Sequence, residues 1–266
     1  MSHSNALPPL HTQNPLKRFA NRADDYAKYR PSYPTAAIDA ILNSNSLGDP
    51  TKLRFADIGA GTGISSRLLA DRGSWVWAIE PNAAMREAAQ PHASVEYRHG
   101  TAEQTGLPNQ SVDGVICCQA FHWFEPVAAL TEFRRILKPG GQVALMWNDR
   151  DREDAFTEAY TDVIGQAVDS RYLERLDRKA SEAEALRTSH LFTNYRALTF
   201  PNTHQLDRAG LVGIALSASY VPKQGDLHQQ LLANLEALYN RWSRPPERDF
   251  VTFSYRTNLF LANVSA

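Results

Sequence analysis

Short apolar runs alternate with amphipathic stretches along the chain as far as Asn148. Between the runs, apolar side chains recur at helical spacing, as Val127, Leu130 and Phe133 do. Regular alternation of strands and helices is typical of βα units, whose strands form a parallel sheet covered by helices. The runs that predict strands lie at 53–57, 75–80, 95–98, 114–119 and 142–147.

The alternation changes after Asn148. Helical spacing predicts one amphipathic helix over 155–168 and a second, charged helix over 172–191. We expect these helices to form an insertion at about 150–193 that lies over the carboxyl edge of the sheet. The rest of the predicted α/β domain, which spans 19–266, consists of a strand at 195–200, helices at 207–217 and 227–242 and a final strand at 250–261.

The N-terminal segment is polar and contains several prolines, so residues 1–18 are expected to form a mobile tail. In residues 19–34, tyrosines crowd around Arg30, among them Tyr26 and Tyr33. One interpretation is a lid over a ligand, with Arg30 available to a carboxylate. The other is a helix that its tyrosines pack against the domain, and both can be true.

The charge balance argues against a nucleic-acid partner. The chain has 28 basic and 29 acidic side chains, and no cluster of lysines and arginines is evident. No apolar run reaches the roughly 18 residues of a membrane span, and the N-terminus lacks the apolar segment of a secretory signal. Cys117 and Cys118 are adjacent, which fits neither a disulfide framework nor metal ligation. We expect a cytoplasmic protein without a metal or a membrane partner, and nothing in the sequence indicates an oligomeric state.

A glycine-rich turn, D-I-G-A-G-T-G, begins at Asp57 where the first strand ends. Without Cβ atoms, Gly59, Gly61 and Gly63 let the backbone approach a ligand closely, and the amides of the following helix point into the same space. A dinucleotide-binding turn has its third glycine three places after the second, where this chain has Ile64. Asp57 disfavours a phosphate and suits a ligand with an amino group or a positive charge. The alternative is a tight turn without a ligand.

A second acidic position lies where the neighbouring strand ends. Glu80 closes the run W-V-W-A-I-E, and in a βαβ unit this position brings a carboxylate to the strand end, where it can accept both hydroxyls of a ribose. The alternative is a surface acid at a strand end. The loop after the next strand contains Ala102 and Glu103, and a backbone amide and an acid there can contact the edge of adenine.

A histidine surrounded by aromatic residues follows the fourth strand in the stretch Q-A-F-H-W-F, which begins at Gln119. Desolvation by the aromatic rings is expected to lower the pKa of His122 and keep its imidazole neutral. A neutral imidazole can act as a general base, and Tyr220 is a weaker candidate for that role. The alternative is a histidine that only packs against the ligand.

The motifs together resemble the class I S-adenosylmethionine-dependent methyltransferases of the type 11 group. Within that group the chain is most similar to the branch that includes trans-aconitate methyltransferase-like proteins. The resemblance implies a doubly wound, mostly parallel, seven-stranded Rossmann-like sheet whose last strand is antiparallel. The stretches that carry it are R-A-D-D-Y-A-K-Y-R-P-S-Y-P, D-I-G-A-G-T-G, A-I-E-P-N, T-A-E-Q-T-G-L-P, Q-A-F-H-W-F, R-I-L-K-P-G-G and S-A-S-Y-V-P, between residues 22 and 222.

By this resemblance the cofactor is S-adenosylmethionine, the product is S-adenosylhomocysteine, and the methyl acceptor is a small molecule, with a carboxylic acid as the leading candidate. The turn would surround the methionine part, Glu80 the ribose and the loop after the third strand the adenine. The implied cofactor residues are Asp57, Gly59, Gly61, Gly63, Glu80, Ala102, Glu103 and Gln119, His122 is the catalytic candidate, and Tyr26, Arg30, Tyr33, Trp123 and Tyr220 are the candidates for the lid and the acceptor side.

Two other functions are compatible with such a fold, because fold alone does not define activity. A nicotinamide-dependent oxidoreductase is one, although the glycine spacing counts against it. A non-catalytic protein that binds a nucleoside as a sensor is the other.

Overall fold

The computed structural model describes residue 12 and residues 23–43, 49–168, 183–218, 220–244, 246 and 248–265. Most of the predicted tail, the start of the predicted lid and most of the charged helix predicted at 172–191 lie outside the described residues. Within the described chain, no helix has the length and apolar character that a membrane span requires.

One sheet organises the described chain, and it confirms the predicted α/β fold. The first five strands are parallel in the order β3-β2-β1-β4-β5, and β7 then pairs antiparallel with both β5 and β6. The final strand is therefore antiparallel, as predicted. The strands are β1 (Arg54–Ile58), β2 (Trp75–Ile79), β3 (Val95–Arg98), β4 (Val112–Cys118), β5 (Leu137–Arg150), β6 (Phe192–Leu206) and β7 (Val251–Val264).

Helices connect the strands and cover the sheet. Two precede the first strand, single helices follow β1, β2 and β4, two lie in the described part of the predicted insertion, and two lie between β6 and β7. They are α1 (Ala23–Tyr29), α2 (Thr35–Leu42), α3 (Ile64–Ala70), α4 (Ala83–Glu87), α5 (Pro126–Ile136), α6 (Ala155–Gln166), α7 (Glu184–Thr188), α8 (Arg208–Leu216) and α9 (Asp226–Trp242).

Two strands are longer than the apolar runs predict. β6 extends to both sides of the predicted 195–200 because β7 supplies backbone partners along its whole length, from Val264 opposite Phe192 to Val251 opposite Leu206. β5 already begins at Leu137, and the turn predicted after that residue is accommodated as a shift in its register against β4. Side-chain hydrophobicity does not report such pairing, because backbone groups form it and an edge strand such as β6 needs only one buried face.

The core has three parts. One side of the sheet packs around Phe121, Phe133 and Trp147, and the other packs around Ile38 and Phe55. The third part joins α6, α8 and α9 to the first residues of β7, of which Tyr255 pairs with Arg150 at the end of β5. These helices therefore pack next to the carboxyl end of β5, and ligands of open α/β sheets bind at the carboxyl ends of the strands. That the insertion lies over this edge stays a prediction.

Candidate functional site

The glycine turn follows β1 in a conformation that L-residues adopt only at a cost. Gly59, Gly61 and Gly63 have φ angles of 68°, 56° and 75°, in the left-handed region that glycine tolerates. The amides of Gly59 and Ala60 donate to the carbonyl of Ile79 at 2.9 and 3.2 Å. These bonds join the turn to the end of β2.

The three glycines meet different surroundings. A Cβ atom added at Gly59 would lie 2.7 Å from the Cβ atom of Ala120, and one at Gly63 would lie 2.1 Å from the hydroxyl of Tyr97. At Gly61 the nearest atom would belong to the Tyr26 ring, 3.9 Å away. Packing therefore requires glycine at the first and third positions, whereas the second borders open space beneath Tyr26.

The Glu80 carboxylate holds the backbone around this open space. Oε2 accepts a hydrogen bond from the Gly61 amide at 2.9 Å, and Oε1 accepts one from the Asn82 amide at 2.8 Å. Glu80 is buried, and burial raises the pKa of its carboxyl group. Since each carboxylate oxygen can accept two hydrogen bonds, both oxygens keep capacity for a ligand.

A cavity of about 620 Å³ lies beside the turn. Eight of the residues predicted from the sequence line it, namely Tyr26, Gly59, Gly61, Glu80, Ala102, Glu103, Gln119 and Trp123. The other lining residues are not among the candidate site residues of the sequence analysis. They are Thr12, Pro81, Asn82, Met85, Thr101, Cys118, Ala120, Phe124 and Glu125.

Asp57 does not line the cavity. Its Oδ2 atom accepts hydrogen bonds from the hydroxyls of Ser65 and Ser66 at 2.7 and 2.6 Å, which ties the end of β1 to the start of α3. Its Oδ1 atom is buried and has no partner among the described residues. Burial is the main cause that raises the pKa of Asp57 to about 6, with the negative charge of Glu80 as a further cause.

Gln119 has a backbone conformation that matters for the site. Its φ angle is 57°, which is uncommon for a residue with a side chain. The Gln119 amide donates to the Met146 carbonyl and its side chain donates to the Asn148 carbonyl at 3.0 Å, so both contacts fix it to β5. Strained residues that the surrounding structure holds in place cluster at functional sites.

His122 lies outside the cavity lining. The imidazole is buried, its ring centre is 5.1 Å from that of Trp123, and Nδ1 accepts a hydrogen bond from the Trp147 indole nitrogen at 3.3 Å. A neutral imidazole that accepts at Nδ1 carries its proton on Nε2. The nitrogen able to take a further proton is therefore already occupied by Trp147.

Trp123 is one of five candidates for the lid and the acceptor side. The other four lie in different places. Tyr26 lines the cavity, and Arg30 stacks on it with Cζ 4.9 Å from the ring centre. Tyr33 packs against the core of Ile38 and Phe55. Tyr220 accepts a hydrogen bond from Arg150. Closure of residues 19–34 over the site stays a prediction.

Comparison with known proteins identifies the family of this chain. A sequence model described as a methyltransferase domain, of the type 11 group, matches residues 56–145. An uncharacterized methyltransferase of Mycobacterium tuberculosis is 33% identical over 233 residues, which cover 84% of this chain and 88% of the relative. The chain belongs to the class I S-adenosylmethionine-dependent methyltransferases.

Other relatives agree with this assignment. An uncharacterized methyltransferase-like protein of Schizosaccharomyces pombe is 30% identical over 249 residues, covering 92% of this chain and 94% of the relative. A malonyl-[acyl-carrier protein] O-methyltransferase of Serratia marcescens is 30% identical over 189 residues, covering 70% and 73%.

Solved structures share the fold. A protein of Anaeromyxobacter dehalogenans named as a type II methyltransferase has a TM-score of 0.59 at 24% identity, and the match covers 89% of this chain and 97% of that one. A methyltransferase ascribed to an antibiotic biosynthesis pathway of Anabaena variabilis has a TM-score of 0.58 at 25% identity, with 90% and 99% covered. The family assignment replaces both alternatives that the fold alone allowed.

The residues of the methyltransferase cavity fit S-adenosylmethionine. Gly61 leaves open space next to the turn, and the remaining lone pairs of Glu80 suit a pair of ribose hydroxyls. Met85 and Phe124 add apolar walls of the kind that an adenine ring packs against. In the described chain, no group of three or more histidine, cysteine or acidic side chains is placed to hold a metal ion.

The raised pKa of Asp57 predicts an unusual dependence of folding stability on pH. The folded protein retains its proton up to about pH 6, whereas an unfolded chain loses it near pH 4. The folded state therefore binds more protons in this interval, and stability falls as pH rises through it. Between pH 4 and 7, we expect the free energy of unfolding to fall by about 2–3 kcal/mol more for the wild type than for Asp57→Asn.

Denaturant unfolding of both proteins at several pH values tests this expectation. Asp226→Asn is the matched control, because Asp226 is an exposed acid in the first turn of α9, and its replacement should shift stability about equally across the interval. Parallel pH profiles for wild type and Asp57→Asn would contradict a raised pKa for Asp57.

Proposed function

We propose that this methyltransferase transfers the methyl group to a carboxylate oxygen of a small organic acid. The observation that carries the proposal is the position of His122, which is buried beside Trp147 with Nδ1 occupied and does not line the cavity. A hydroxyl or a carbon acid needs a base to remove its proton. A carboxylate is already ionised at neutral pH and needs none.

The acidic groups in the described lining support the same choice. Glu80 holds two backbone amides, Glu125 caps α5 through the amides of Val127 and Ala128, and Glu103 accepts from the Glu125 amide. Each carboxylate therefore has a structural task near the cavity. Two relatives named malonyl-[acyl-carrier protein] O-methyltransferase, from Serratia marcescens and Yersinia pestis, add support from similarity.

The chain's contribution to such a reaction is alignment and exclusion of water. When bound, the cofactor supplies a methyl group on a sulfonium, which is already a good electrophile. Phe124 packs over Gly59 and Trp123 borders the cavity, so aromatic surface lines the space next to the turn. Holding reactants in line can lower a barrier by about 7–11 kcal/mol.

A labelling experiment tests the proposed function. The purified protein is incubated with methyl-labelled S-adenosylmethionine and a metabolite extract, and the labelled product is isolated. We expect a small molecule whose label is released as methanol by mild alkali, since methyl esters hydrolyse where N-, C- and ether-linked methyl groups do not. An alkali-stable label, or label on protein or RNA, would overturn the proposal.

His122 provides a kinetic prediction. If the acceptor is a carboxylate, His122→Asn should change kcat by less than about tenfold, because no proton has to be removed. If His122 were a general base, kcat should fall by about 10²–10⁴-fold while cofactor affinity holds. Steady-state kinetics with the product-forming acceptor separates the two, with calorimetry of S-adenosylhomocysteine binding as the control for a folded site.

A further inference from the structure

Two arginines lie together at the carboxyl edge of the sheet among tyrosines. Arg150, the last residue of β5, donates from Nη2 to the Tyr220 hydroxyl at 3.0 Å, and its Cζ atom is 4.9 Å from the centre of the Tyr160 ring. Arg30 donates from Nη2 to the Ser217 carbonyl at 3.4 Å. Both guanidinium groups lie close enough to Tyr160 and Tyr255 to influence their ionisation.

These arginines lack the acidic partners that arginines such as Arg72, Arg135 and Arg256 have. In the described chain, no carboxylate lies within 4 Å of either guanidinium, and the Nε atom of Arg30 is buried without a hydrogen-bond partner. On the same sheet edge, Arg256 pairs with Asp151 and Glu153. A partly buried cation without an anion is costly, which indicates that the anion is a ligand.

The tyrosines are suited to donate to such an anion. Burial raises the pKa of Tyr255 to about 12 and raises the pKa of Tyr160 as well, although the nearby arginines oppose the shift. Both phenols therefore carry their protons at neutral pH. Together with two guanidinium groups they offer the forked, charge-assisted donors that recognise a carboxylate.

Tyr26 connects this cluster with the cofactor cavity. One face of the Tyr26 ring stacks on Arg30, while the same side chain lines the cavity and lies nearest to the open side of Gly61. The arginines themselves do not belong to the described lining of the cavity. A ligand group held by them is thus separated from the cofactor space by one aromatic ring.

We propose that Arg30, Arg150 and the surrounding tyrosines bind a second carboxylate of the methyl acceptor, one that is not methylated. This inference rests on the proposed function, since it describes the acceptor of that reaction as a diacid. Charge-assisted donors on both oxygens stabilise the negative charge of that carboxylate, which makes it a weaker nucleophile than a carboxylate without them. The reacting carboxylate is therefore the other one, on the cofactor side of Tyr26.

The test uses binding of simple diacids to the protein saturated with S-adenosylhomocysteine. Succinate, glutarate and adipate are titrated by calorimetry against wild type, Arg150→Gln, Arg150→Lys and Arg256→Gln. At least one diacid should bind the wild type, with affinity at least about tenfold weaker in Arg150→Gln and partly restored in Arg150→Lys. Arg256→Gln is the matched control and should bind as the wild type does.

Stability separates binding from a structural role. Removing an uncompensated charge should leave the Tm of ligand-free Arg150→Gln unchanged or raise it, whereas a structural role predicts a lower Tm. The inference is overturned if none of the diacids binds the wild type, if Arg150→Gln binds them equally well, or if its Tm falls clearly below that of Arg256→Gln. S-Adenosylhomocysteine binding by both variants, and alkali-labile label from the extract, report on the proposed function independently.

Discussion

Replacing Glu80 with alanine is expected to weaken binding of S-adenosylhomocysteine by at least about tenfold. Hydrogen bonds to a charged acceptor contribute about 1.5–3 kcal/mol each, and 1.4 kcal/mol corresponds to a factor of ten. A ribose would offer two hydroxyls to this carboxylate. Losing both bonds would cost about 3–6 kcal/mol, which corresponds to binding weaker by between about 10²-fold and 10⁴-fold.

The structure adds a second reason for a large effect. The same carboxylate accepts from the Gly61 and Asn82 amides, so its removal leaves two amides without their acceptor and loosens the turn itself. Glu80→Gln retains the size of the side chain and one acceptor oxygen. Its side-chain NH₂ group is a donor, however, and faces one of the two backbone amides, so that hydrogen bond is lost. We therefore expect its affinity to fall between those of wild type and Glu80→Ala.

Calorimetry at constant ionic strength measures these affinities. Glu87→Ala is the matched control, because Glu87 is an exposed acid at the end of α4, the helix that follows Glu80. Its replacement should leave binding unchanged. Equal affinities for Glu80→Ala and Glu87→Ala would remove Glu80 from the cofactor site.

The central part of the fold is accessible to sequence reasoning because its determinants are local. The apolar runs of β1, β2 and β4 are buried between helices, and buried parallel strands are nearly continuous in apolar residues. Asn82 caps α4, since its side chain accepts from the amides of Ala84 and Met85. Strand, turn and carboxylate follow one another closely enough for their spacing to carry information.

The cluster around Arg150 has no such local signal. Its members come from the residue after α1, from β5, from α6, from the segment after α8 and from β7, and only the fold brings them together. In the sequence, Arg150 is one charged residue among several after a strand, and Tyr160 reads as one apolar position of an amphipathic helix. A cation becomes informative only when the structure indicates which carboxylates are absent from its surroundings.

His122 illustrates the same limit within a single motif. Its position after β4 suggests a base, because side chains at the carboxyl end of a strand commonly face a ligand. The side chain instead meets Trp147, which lies on the neighbouring strand β5. Sequence spacing places a residue at the sheet edge, but the direction of the side chain depends on packing that the sequence does not display.

Gly63→Ala is expected to lower the free energy of unfolding by about 2–5 kcal/mol. A left-handed conformation costs an L-residue about 1–2 kcal/mol, and Gly63 has a φ angle of 75°. The new Cβ atom would also lie 2.1 Å from the Tyr97 hydroxyl, and overpacking of this kind costs about 1–3 kcal/mol. Gly140→Ala is the matched control, because Gly140 has a φ angle of 77° but no atom within 4 Å of an added Cβ, so only the conformational cost should appear.

A double-mutant cycle with Tyr97→Phe isolates the steric part of this cost. The Tyr97 hydroxyl is buried without a hydrogen-bond partner among the described residues, so Tyr97→Phe alone should be neutral or slightly stabilising. In the Gly63→Ala background it removes the atom in conflict and leaves the ring carbon Cζ at 3.2 Å. We expect denaturant unfolding to give a coupling of at least about 1 kcal/mol between the two substitutions, whereas additive effects would show that the conformation of Gly63, rather than its contact with Tyr97, requires glycine at this end of the turn.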